Sequence, residues 1–455
     1  MRPWTAASAA RRPDHPFLVM PDRTVTFAEF DHGVRSAIGA LEEWGIRPQD
    51  RVAVWADNDL DSAVALAAIP RSGAVVVPLN TRLTVSEAAD QVEMAGARLA
   101  VGPPDMPDLG VAGLESSRLT GPPSPGIDPE PDRVHSIVFT SGSSGIAKGV
   151  RLTWGNLEAS AAASAVHLRH REDDRWLLPL PLCHVGGLMV LIRSARQGTT
   201  VLLEPRFDAA RAARLLVEGE ATLVSLVAVM LRRVLDAGPG PYRRVRAVLV
   251  GGGGAPLELL REAATAGIPV LPTYGMTETA SQIATAPLDE GLRPRRRVIP
   301  LPGAEVEVRD GRIYVRGPMV SPGYLRGPDR RGDEWFETGD LGEADVEGGF
   351  QVLGRADEMI VTGGEKVHPH EVEQVLRGHP GVVEVCVVGV PDPLWGNRVA
   401  AVYQGPAGAG ELERHTRYRL AGFKVPRTWV RVDELPRLGI GKLDRRAAAG
   451  LVERA

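Results

Sequence analysis

A segment rich in glycine and hydroxyl residues carries the groups needed to hold a polyphosphate. It reads Phe139-Thr140-Ser141-Gly142-Ser143-Ser144-Gly145-Ile146-Ala147-Lys148-Gly149. The glycines permit sharp turns that expose backbone N–H groups, the hydroxyls add donors, and Lys148 adds a compact positive charge. Backbone amides presented in this way bind phosphate groups. The spacing differs from that of a Walker A loop. A surface linker is the alternative, but the segment follows an apolar strand-like run, and we interpret it as a phosphate-binding loop.

The lysines of the chain are a second group of candidates. Of the 53 basic residues only Lys148, Lys366, Lys424 and Lys442 are lysines. Each lies in a segment that contains glycine or proline rather than on a helix face. Codon bias is the alternative explanation for the excess of arginine. Because the lysine ammonium is smaller and more flexible than a guanidinium, these positions are nevertheless candidates for function.

A second segment offers an aromatic ring, a hydroxyl and a carboxylate within five residues. Tyr274 can present its ring to a base, Thr277 its hydroxyl to a phosphate, and Glu278 its carboxylate to Mg²⁺. A simple helix start is the alternative. Another flexible run, Gly251-Gly252-Gly253-Gly254-Ala255-Pro256, permits close approach of the backbone to a flat ligand. Downstream, Thr338-Gly339-Asp340 is predicted to end a strand, and the carboxylate of Asp340 can accept hydrogen bonds from both hydroxyls of a ribose.

The elements that must position these residues alternate between strands and helices, which predicts an α/β fold with a parallel sheet covered by helices. Residues 102–131 are rich in proline and glycine and are predicted to form a loop. A smaller α+β unit is predicted beyond residue 357. The predicted strands are 52–55, 74–77, 134–139, 221–227, 245–250, 382–390 and 399–403, and the predicted helices are 27–44, 59–69, 153–166, 371–378 and 411–420. A hairpin is predicted at Asp310-Gly311.

Length, net charge and amino-acid composition exclude several classes of protein. The length of 455 residues predicts two or three domains, and the net charge of −4 argues against a nucleic-acid scaffold or a polybasic membrane anchor. Two cysteines give no disulfide framework or metal cluster and suit a reducing compartment. The longest apolar run, residues 221–231, is too short to span a bilayer. We therefore expect a soluble cytoplasmic protein without membrane insertion.

Taken in order, these segments resemble the AMP-forming acid–CoA ligase superfamily, and the resemblance extends from about Thr26 to Arg446. The matching segments are the phosphate loop, Pro181–Gly187, Gly251–Pro256, Tyr274–Glu278, Thr338–Asp340, Thr362–Lys366 and Gly441-Lys442. Ser144 and Ala147 depart from the usual form of the loop, but neither change removes its donors or its lysine. The resemblance implies ATP, Mg²⁺ and CoA as cofactors and a small-molecule carboxylic acid as substrate.

The resemblance also implies an architecture and the roles of individual residues. It predicts an ATP- and acid-binding domain over residues 1–356 and a mobile C-terminal domain over residues 357–455, with a hinge at Asp357. The implied catalytic residues are Lys442, Thr277, Glu278 and Lys148, with Glu278 also binding the metal. Cofactor binding is implied for Thr140, Ser141, Gly142, Ser143, Ser144, Gly145, Lys148, Gly252, Gly253, Gly254, Ala255, Pro256, Thr273, Tyr274, Gly275, Met276, Thr277, Asp340, Arg355, Gly363 and Gly364. The acid pocket is assigned to His184, Gly187, Arg193, Ser225, Val227 and Ser281.

Within the superfamily, the segments around residues 184–188, 227–231, 251–256 and 273–282 resemble most the o-succinylbenzoate–CoA ligases of menaquinone biosynthesis. The alternatives are a ligase of another aryl or medium-chain acid, an adenylating module that loads a carrier protein, and a nucleotide-binding regulatory protein without catalysis. A homodimer is among the expected assemblies.

Two side chains near the predicted acid pocket have competing interpretations. Arg193 interrupts an apolar helical run, so it either pairs with the second carboxylate of the acid or reaches water or a surface carboxylate at the helix end. His184 follows Cys183, which suggests a nucleophilic pair. Adjacent residues of a strand point to opposite faces, however, and we expect His184 to line the pocket.

Overall fold

The computed structural model describes residues 2–141, 147–238, 240–252, 255, 257–295, 297–330, 332–346, 348–355, 359–367, 369–436 and 443–455. The helices of these residues are α1 Trp4–Arg11, α2 Phe27–Glu43, α3 Leu60–Arg71, α4 Val85–Ala95, α5 Trp154–His167, α6 Val185–Gln197, α7 Ala209–Val217, α8 Ala228–Ala237, α9 Leu257–Thr265, α10 Pro369–Arg377, α11 Ala409–Arg419 and α12 Arg445–Arg454. In this described part of the chain, no helix has the length and apolar character needed to cross a membrane.

Among the described residues, the strands fall into two large sheets in an N-terminal domain and two small sheets in a C-terminal domain. In the N-terminal domain they are β1 Pro16–Val19, β2 Thr24–Thr26, β3 Arg51–Trp55, β4 Val75–Leu79, β5 Leu99–Gly102, β6 Ala112–Glu115, β7 Val134–Ser141, β8 Ala147–Thr153, β9 Arg175–Leu178, β10 Thr200–Leu203, β11 Leu223–Leu226, β12 Ala247–Val250, β13 Val270–Met276, β14 Ser281–Thr285, β15 Arg297–Pro300, β16 Glu305–Arg309, β17 Arg312–Arg316, β18 Gly323–Tyr324, β19 Phe336–Ala344 and β20 Phe350–Arg355. The C-terminal domain contributes β21 Ile360–Thr362, β22 Glu365–Val367, β23 Glu384–Asp392, β24 Gly396–Gln404 and β25 Thr428–Arg431.

Parallel strands form the centre of both large sheets. Among the described residues one sheet has the order β18-β8-β7-β4-β3-β5-β6, and the other has the order β16-β17-β19-β20-β15-β14-β13-β12-β11-β9-β10-β1-β2. The pairs β3–β4 and β3–β5 are parallel, as are β9–β11, β11–β12 and β12–β13. These strands are short apolar runs because helices cover both of their faces. The predicted α/β fold is therefore confirmed.

Threonines begin several of the helices. Thr26 and Thr153 cap α2 and α5 through capping boxes with Glu29 and Asn156. Each cap satisfies backbone N–H groups that the first helical turn leaves without an intrahelical partner. The predicted start of α5 at Thr153 is confirmed, and its end at His167 lies one residue beyond the prediction.

The predicted loop over residues 102–131 contains one strand that the sequence analysis missed. Strand β6 pairs in parallel with the edge of β5, and only Leu114 of its residues is buried. Because β6 has no run of apolar residues, the sequence pattern that usually indicates a strand is absent there. The later part of the loop crosses α2, where a Cβ added to Gly39 would lie 1.8 Å from the carbonyl oxygen of Pro122. Glycine therefore permits this backbone-to-backbone contact.

The C-terminal domain follows the predicted order of elements. A hairpin of β21 and β22 precedes α10, and the sheet β23-β24-β25 packs against α10 and α12. Helix α12 was not predicted. Residues 356–358 lie outside the described residues, so both the boundary at 356/357 and the hinge at Asp357 remain predictions.

Candidate active site

A cavity of about 480 Å³ opens at the carboxyl ends of β11, β12 and β13 and extends to the boundary between the two domains. Clefts at this end of parallel strands are common ligand sites, because the loops that follow the strands converge there. The C-terminal domain closes one side of the cavity with Gly364, Glu365, Lys366, Glu371 and the turn of residues 423–424.

Many of the predicted site residues line this cavity. They are Thr140, His184, Gly187, Arg193, Ser225, Val227, Gly252, Thr273, Tyr274, Gly275, Met276, Thr277, Ser281 and Gly364. The described residues Lys148, Ala255, Glu278, Asp340 and Gly363 do not line it. Ser141 and Arg355 belong to β7 and β20, and their side chains are not described. Gly142, Ser143, Ser144, Gly145, Gly253, Gly254, Pro256, Asp357 and Lys442 lie outside the described residues.

Tyr274 and Asp340 form a buried pair beside the cavity. The Tyr274 hydroxyl donates a hydrogen bond of 2.7 Å to Asp340 Oδ2. Asp340 lies within β19 and pairs with Arg355 of β20, whereas the sequence analysis placed Thr338–Asp340 at the end of a strand. That prediction was wrong because the antiparallel pairing with β20 continues beyond Asp340 to Ala344. The position of the carboxylate is consequently fixed, because its backbone lies inside the β19–β20 ladder.

A tight reversal after β13 sets the position of Thr277 and Glu278. A Cβ added to Gly275 would lie only 1.8 Å from the carbonyl oxygen of Ser281, so glycine is required where the strands meet. Ala280 and Ser281 have φ values of 48° and 84°, in the left-handed region. Residues 277–279 form a single 3₁₀ turn. The alternative that this segment begins a helix is therefore limited to that one turn.

Tyr324 connects Glu278 with Lys148. Its hydroxyl donates a hydrogen bond of 2.8 Å to Glu278 Oε1, and Lys148 Nζ lies 5.4 Å from the centroid of its ring. Strand β18 carries Tyr324 and pairs with β8, which carries Lys148. The sequence analysis missed Tyr324, because a two-residue strand far along the chain gives no local signal.

The carboxylate of Glu278 suits a magnesium ion that is bound mainly by substrate. Within the described ranges, no group of three His, Cys, Asp or Glu side chains could hold a metal by itself. Mg²⁺ commonly uses one or two carboxylates together with phosphate oxygens and water. Glu278 directly follows Thr277, which lines the cavity, so its carboxylate and the Thr277 hydroxyl together fit this mode of binding.

Arg193 is buried in the wall of the cavity. Its exposed fraction is 3%, and its Nε and Nη2 atoms have no hydrogen-bond partner among the described residues. The guanidinium carbon lies 5.7 Å from the centroid of the Trp176 ring, and burial lowers the pKa of Arg193 to about 9. The interpretation that Arg193 reaches water or a surface carboxylate is therefore wrong. Arg193 instead places a buried guanidinium, with no carboxylate partner among the described residues, in a wall that this cavity shares with a smaller pocket.

Cys183 and His184 both line the cavity, contrary to the expectation of opposite faces. That expectation was wrong because strand β9 ends at Leu178, and the two residues lie in the turn before α6. Burial raises the pKa of the Cys183 thiol, with a smaller contribution from the charge of Glu365. A buried thiol with a raised pKa is a poor nucleophile, which argues against a nucleophilic pair of Cys183 and His184.

Glu365 brings three positive or ionisable groups together at the domain boundary. Its Oε1 atom lies 3.3 Å from His184 Nε2 and 3.3 Å from Arg82 Nη1. Burial raises the pKa of Glu365, but the charges of His184, Arg82 and Lys424 outweigh it and hold the pKa below its ordinary value. The sequence analysis did not identify Glu365, because its direct partners His184 and Arg82 belong to the other domain.

Lys424 is buried at the mouth of the cavity between two carboxylates. Its Nζ atom lies 2.8 Å from Glu87 Oε1 and 2.7 Å from Glu371 Oε1. Glu87 belongs to α4 of the N-terminal domain, whereas Lys424 and Glu371 belong to the C-terminal domain. The scarcity of lysine had marked Lys424 as a candidate, but the sequence gave no indication of its partners.

Family models match both domains. The model described as AMP-binding enzyme matches residues 5–325, and the model described as AMP-binding enzyme C-terminal domain matches residues 371–442. The 2-succinylbenzoate–CoA ligase of Bacillus licheniformis is 35% identical over 97% of this chain and 98% of its own length.

Solved structures agree with this assignment. A double mutant of o-succinylbenzoate CoA synthetase from Bacillus subtilis, bound to a product analogue, has a TM-score of 0.93 at 33% identity over 98% of both chains. The complex of that synthetase with its acyl-adenylate intermediate has a TM-score of 0.76 at the same identity and coverage. The resemblance to the AMP-forming acid–CoA ligases is confirmed, and the chain belongs to the AMP-binding enzyme family.

Proposed function

We propose that this chain is an AMP-forming acid–CoA ligase that converts o-succinylbenzoate to o-succinylbenzoyl-CoA for menaquinone biosynthesis, with ATP, Mg²⁺ and CoA. The similarity to ligases of that name supports the reaction. The observation that carries the choice of acid is the buried guanidinium of Arg193 in the cavity wall.

The charge of the substrate explains why such a cation is useful. o-Succinylbenzoate has two carboxylates, of which only the succinyl group is activated. The benzoate group stays ionised in a largely apolar cavity, where an unpaired charge costs several kcal/mol. Arg193 lacks an internal carboxylate partner in the described structure, so pairing with the substrate neutralises both charges.

The first step joins the acid to AMP. A succinyl oxygen attacks the α-phosphorus of ATP, and the bond to pyrophosphate breaks. This transfer requires charge neutralisation and in-line positioning rather than covalent help from the protein. We assign these tasks to Lys148, Thr277, Glu278 and Lys442. Bound Mg²⁺ would reduce the negative charge of the phosphates.

The remaining nucleotide contacts are assigned to groups with fixed positions. Asp340, held by Tyr274, is proposed to accept hydrogen bonds from the ribose hydroxyls. The Tyr274 ring and the glycine run at residues 251–254 are proposed to flank the adenine. The phosphate loop completes this site, with its central residues 142–146 outside the described structure.

In the second step the CoA sulfur attacks the acyl carbon, the bond to AMP breaks, and the thiol proton is released. The turn at Gly363 and Gly364 is proposed to line the route of the pantetheine chain. Both glycines have positive φ, and a Cβ at Gly364 would lie 3.0 Å from Val227 Cγ1. The turn therefore packs closely against the cavity wall. A narrow channel for pantetheine requires such close packing.

A panel of acids tests the proposal directly. CoA-dependent AMP formation is measured with o-succinylbenzoate, benzoate, malonate and octanoate, and o-succinylbenzoate should have the highest kcat/KM. A preference for another acid would overturn the substrate assignment. Acyl-AMP formation without CoA turnover would favour a carrier-loading module, and absence of pyrophosphate release would favour a regulatory protein.

Assembly and location belong to the same proposal. A homodimer is proposed, with sedimentation at several protein concentrations as its test. A cytoplasmic location is proposed because ATP and CoA are both available there.

A further inference from the structure

Lys424 makes one ion pair within its own domain and one across the domain boundary. Its partner Glu371 lies in the first turn of α10 in the C-terminal domain, so this pair can persist however the domains are arranged. Its partner Glu87 lies in α4 of the N-terminal domain, so this pair requires the present arrangement. The side chains of Lys424 and Glu87 are only 10% and 14% exposed.

The cross-domain pair is connected by packing contacts to the turn that is proposed to line the pantetheine channel. Residues 422–424 form a 3₁₀ turn that packs against β22, and β22 immediately follows Gly364. Gly364 lies against Val227 of the N-terminal domain. A continuous set of contacts thus runs from Glu87 through Lys424 to the glycine turn over the cavity.

Two solved structures of the synthetase from Bacillus subtilis agree with this chain to different extents. The product-analogue complex agrees with this chain at a TM-score of 0.93, and the acyl-adenylate complex agrees at 0.76. These two structures of one enzyme therefore differ in conformation, and this chain has the conformation of the first.

We propose that Glu87 and Lys424 are positioning residues that hold the Gly363-Gly364 turn over the cavity and so favour the arrangement used for thioester formation. This proposal rests on the proposed function. Burial makes the pair effective, because charges removed from water interact strongly and loss of one partner leaves the other poorly solvated. Arg82 also crosses the boundary to Glu365, but its side chain is 60% exposed and water screens its charge.

Glu87→Gln is the sharpest variant, since Glu87 has two separable roles. Its Oε2 atom accepts a hydrogen bond from the backbone N–H of Thr84 in a capping box, while Oε1 faces Lys424. Glutamine preserves a side-chain oxygen for the cap and removes the charge. Glu93→Gln is the matched control, because Glu93 is an exposed residue of the same helix.

The two half-reactions are measured separately, as pyrophosphate release with acid and ATP and as thioester formation from supplied o-succinylbenzoyl-AMP and CoA. Glu87→Gln should lower the ratio of transfer to adenylation about tenfold, a change of about 1.4 kcal/mol in relative barrier heights. Glu93→Gln should leave the ratio unchanged. Glu371→Gln, which leaves the cross-domain pair in place, should change it less than Glu87→Gln.

Hydrogen exchange gives a readout that does not depend on catalysis. The amides of residues 363–367 should lose protection in Glu87→Gln and keep it in Glu93→Gln. Parent-like transfer and protection in Glu87→Gln, or equal loss of both half-reactions, would overturn the positioning role. If the parent forms no thioester, the proposed function fails, and the exchange experiment still decides whether the pair holds the turn.

Discussion

Tyr324 donates a hydrogen bond of 2.8 Å to Glu278, although the two residues belong to separate segments of the large domain. The same ring lies 5.4 Å from the ammonium nitrogen of Lys148. The tyrosine therefore holds the carboxylate proposed to bind magnesium beside the lysine proposed to bind phosphate.

Tyr324→Phe should separate this orienting role from packing, because it removes only the hydroxyl. Loss of a hydrogen bond to a charged group corresponds to about 1.5–3 kcal/mol. We expect adenylation to fall at least tenfold and the Mg²⁺ concentration for half-maximal rate to rise. Pyrophosphate release measured across a magnesium titration tests this expectation, and a parent-like titration curve would show that the hydroxyl does not orient Glu278.

Arg193→Met should increase stability while impairing use of the acid. Replacing a buried, unpaired charge by an apolar side chain of similar length removes a desolvation penalty. We expect a higher Tm for the ligand-free variant and at least a tenfold higher KM for o-succinylbenzoate, with ATP affinity unchanged. Arg196→Met is the control, because Arg196 lies on the same helix and pairs with Glu158. An unchanged KM in Arg193→Met would remove the support for the proposed acid.

Lys442→Ala should affect adenylation selectively. If the ammonium contacts the acid and the α-phosphate, its loss costs about 3–4 kcal/mol, or two to three decades in rate. Thioester formation from supplied acyl-AMP should largely survive. Near-normal pyrophosphate release by the variant would exclude the assigned role.

Gly364→Ala should impair CoA transfer and leave adenylation intact, which is the opposite of the effect expected for Lys442→Ala. The residue has a φ of 86°, and an added Cβ would lie 3.0 Å from Val227 Cγ1, so alanine strains the turn and narrows the channel. We expect CoA transfer to fall at least tenfold while adenylation continues. Stopped-flow measurement of both steps distinguishes this outcome from a general loss of activity, which would contradict the assigned channel role.

His135 should make the free energy of unfolding decrease at acidic pH. Burial lowers the pKa of His135 from its ordinary 6.5 to about 3. Between these values the unfolded chain binds a proton that the folded chain excludes, so stability falls as pH decreases, by about 1.4 kcal/mol per pH unit. Above pH 6.5 the contribution is absent. His135→Phe preserves a ring against Trp154 and should flatten the dependence of the unfolding free energy on pH between 6 and 4. An unchanged slope in urea titrations would contradict this.

Local patterns identified the class of the fold and several of its elements. Apolar runs bounded by breakers identified β3 and β4, and the Thr153 cap identified the start of α5. The failures have specific causes. Strand β6 is an edge with one buried residue, and the turn before α6 was taken for strand because its apolar residues resemble one.

The site was predictable where its residues are contiguous. The segment Thr273–Thr277 lines the cavity because one strand end delivers it there. Tyr324, Glu365 and Lys424 acquire their partners only when distant segments pack together. No periodicity or spacing in one sequence encodes such pairings.

Because both domains line the cavity, any compound that fills it contacts both domains at once. Its contacts with Gly364 and Lys366 on one side and with Val227 and Tyr274 on the other would resist separation of the domains. The lifetime of an inhibitor bound there would therefore follow the rate at which the domains part, and slow dissociation could be achieved without exceptional affinity for either domain alone.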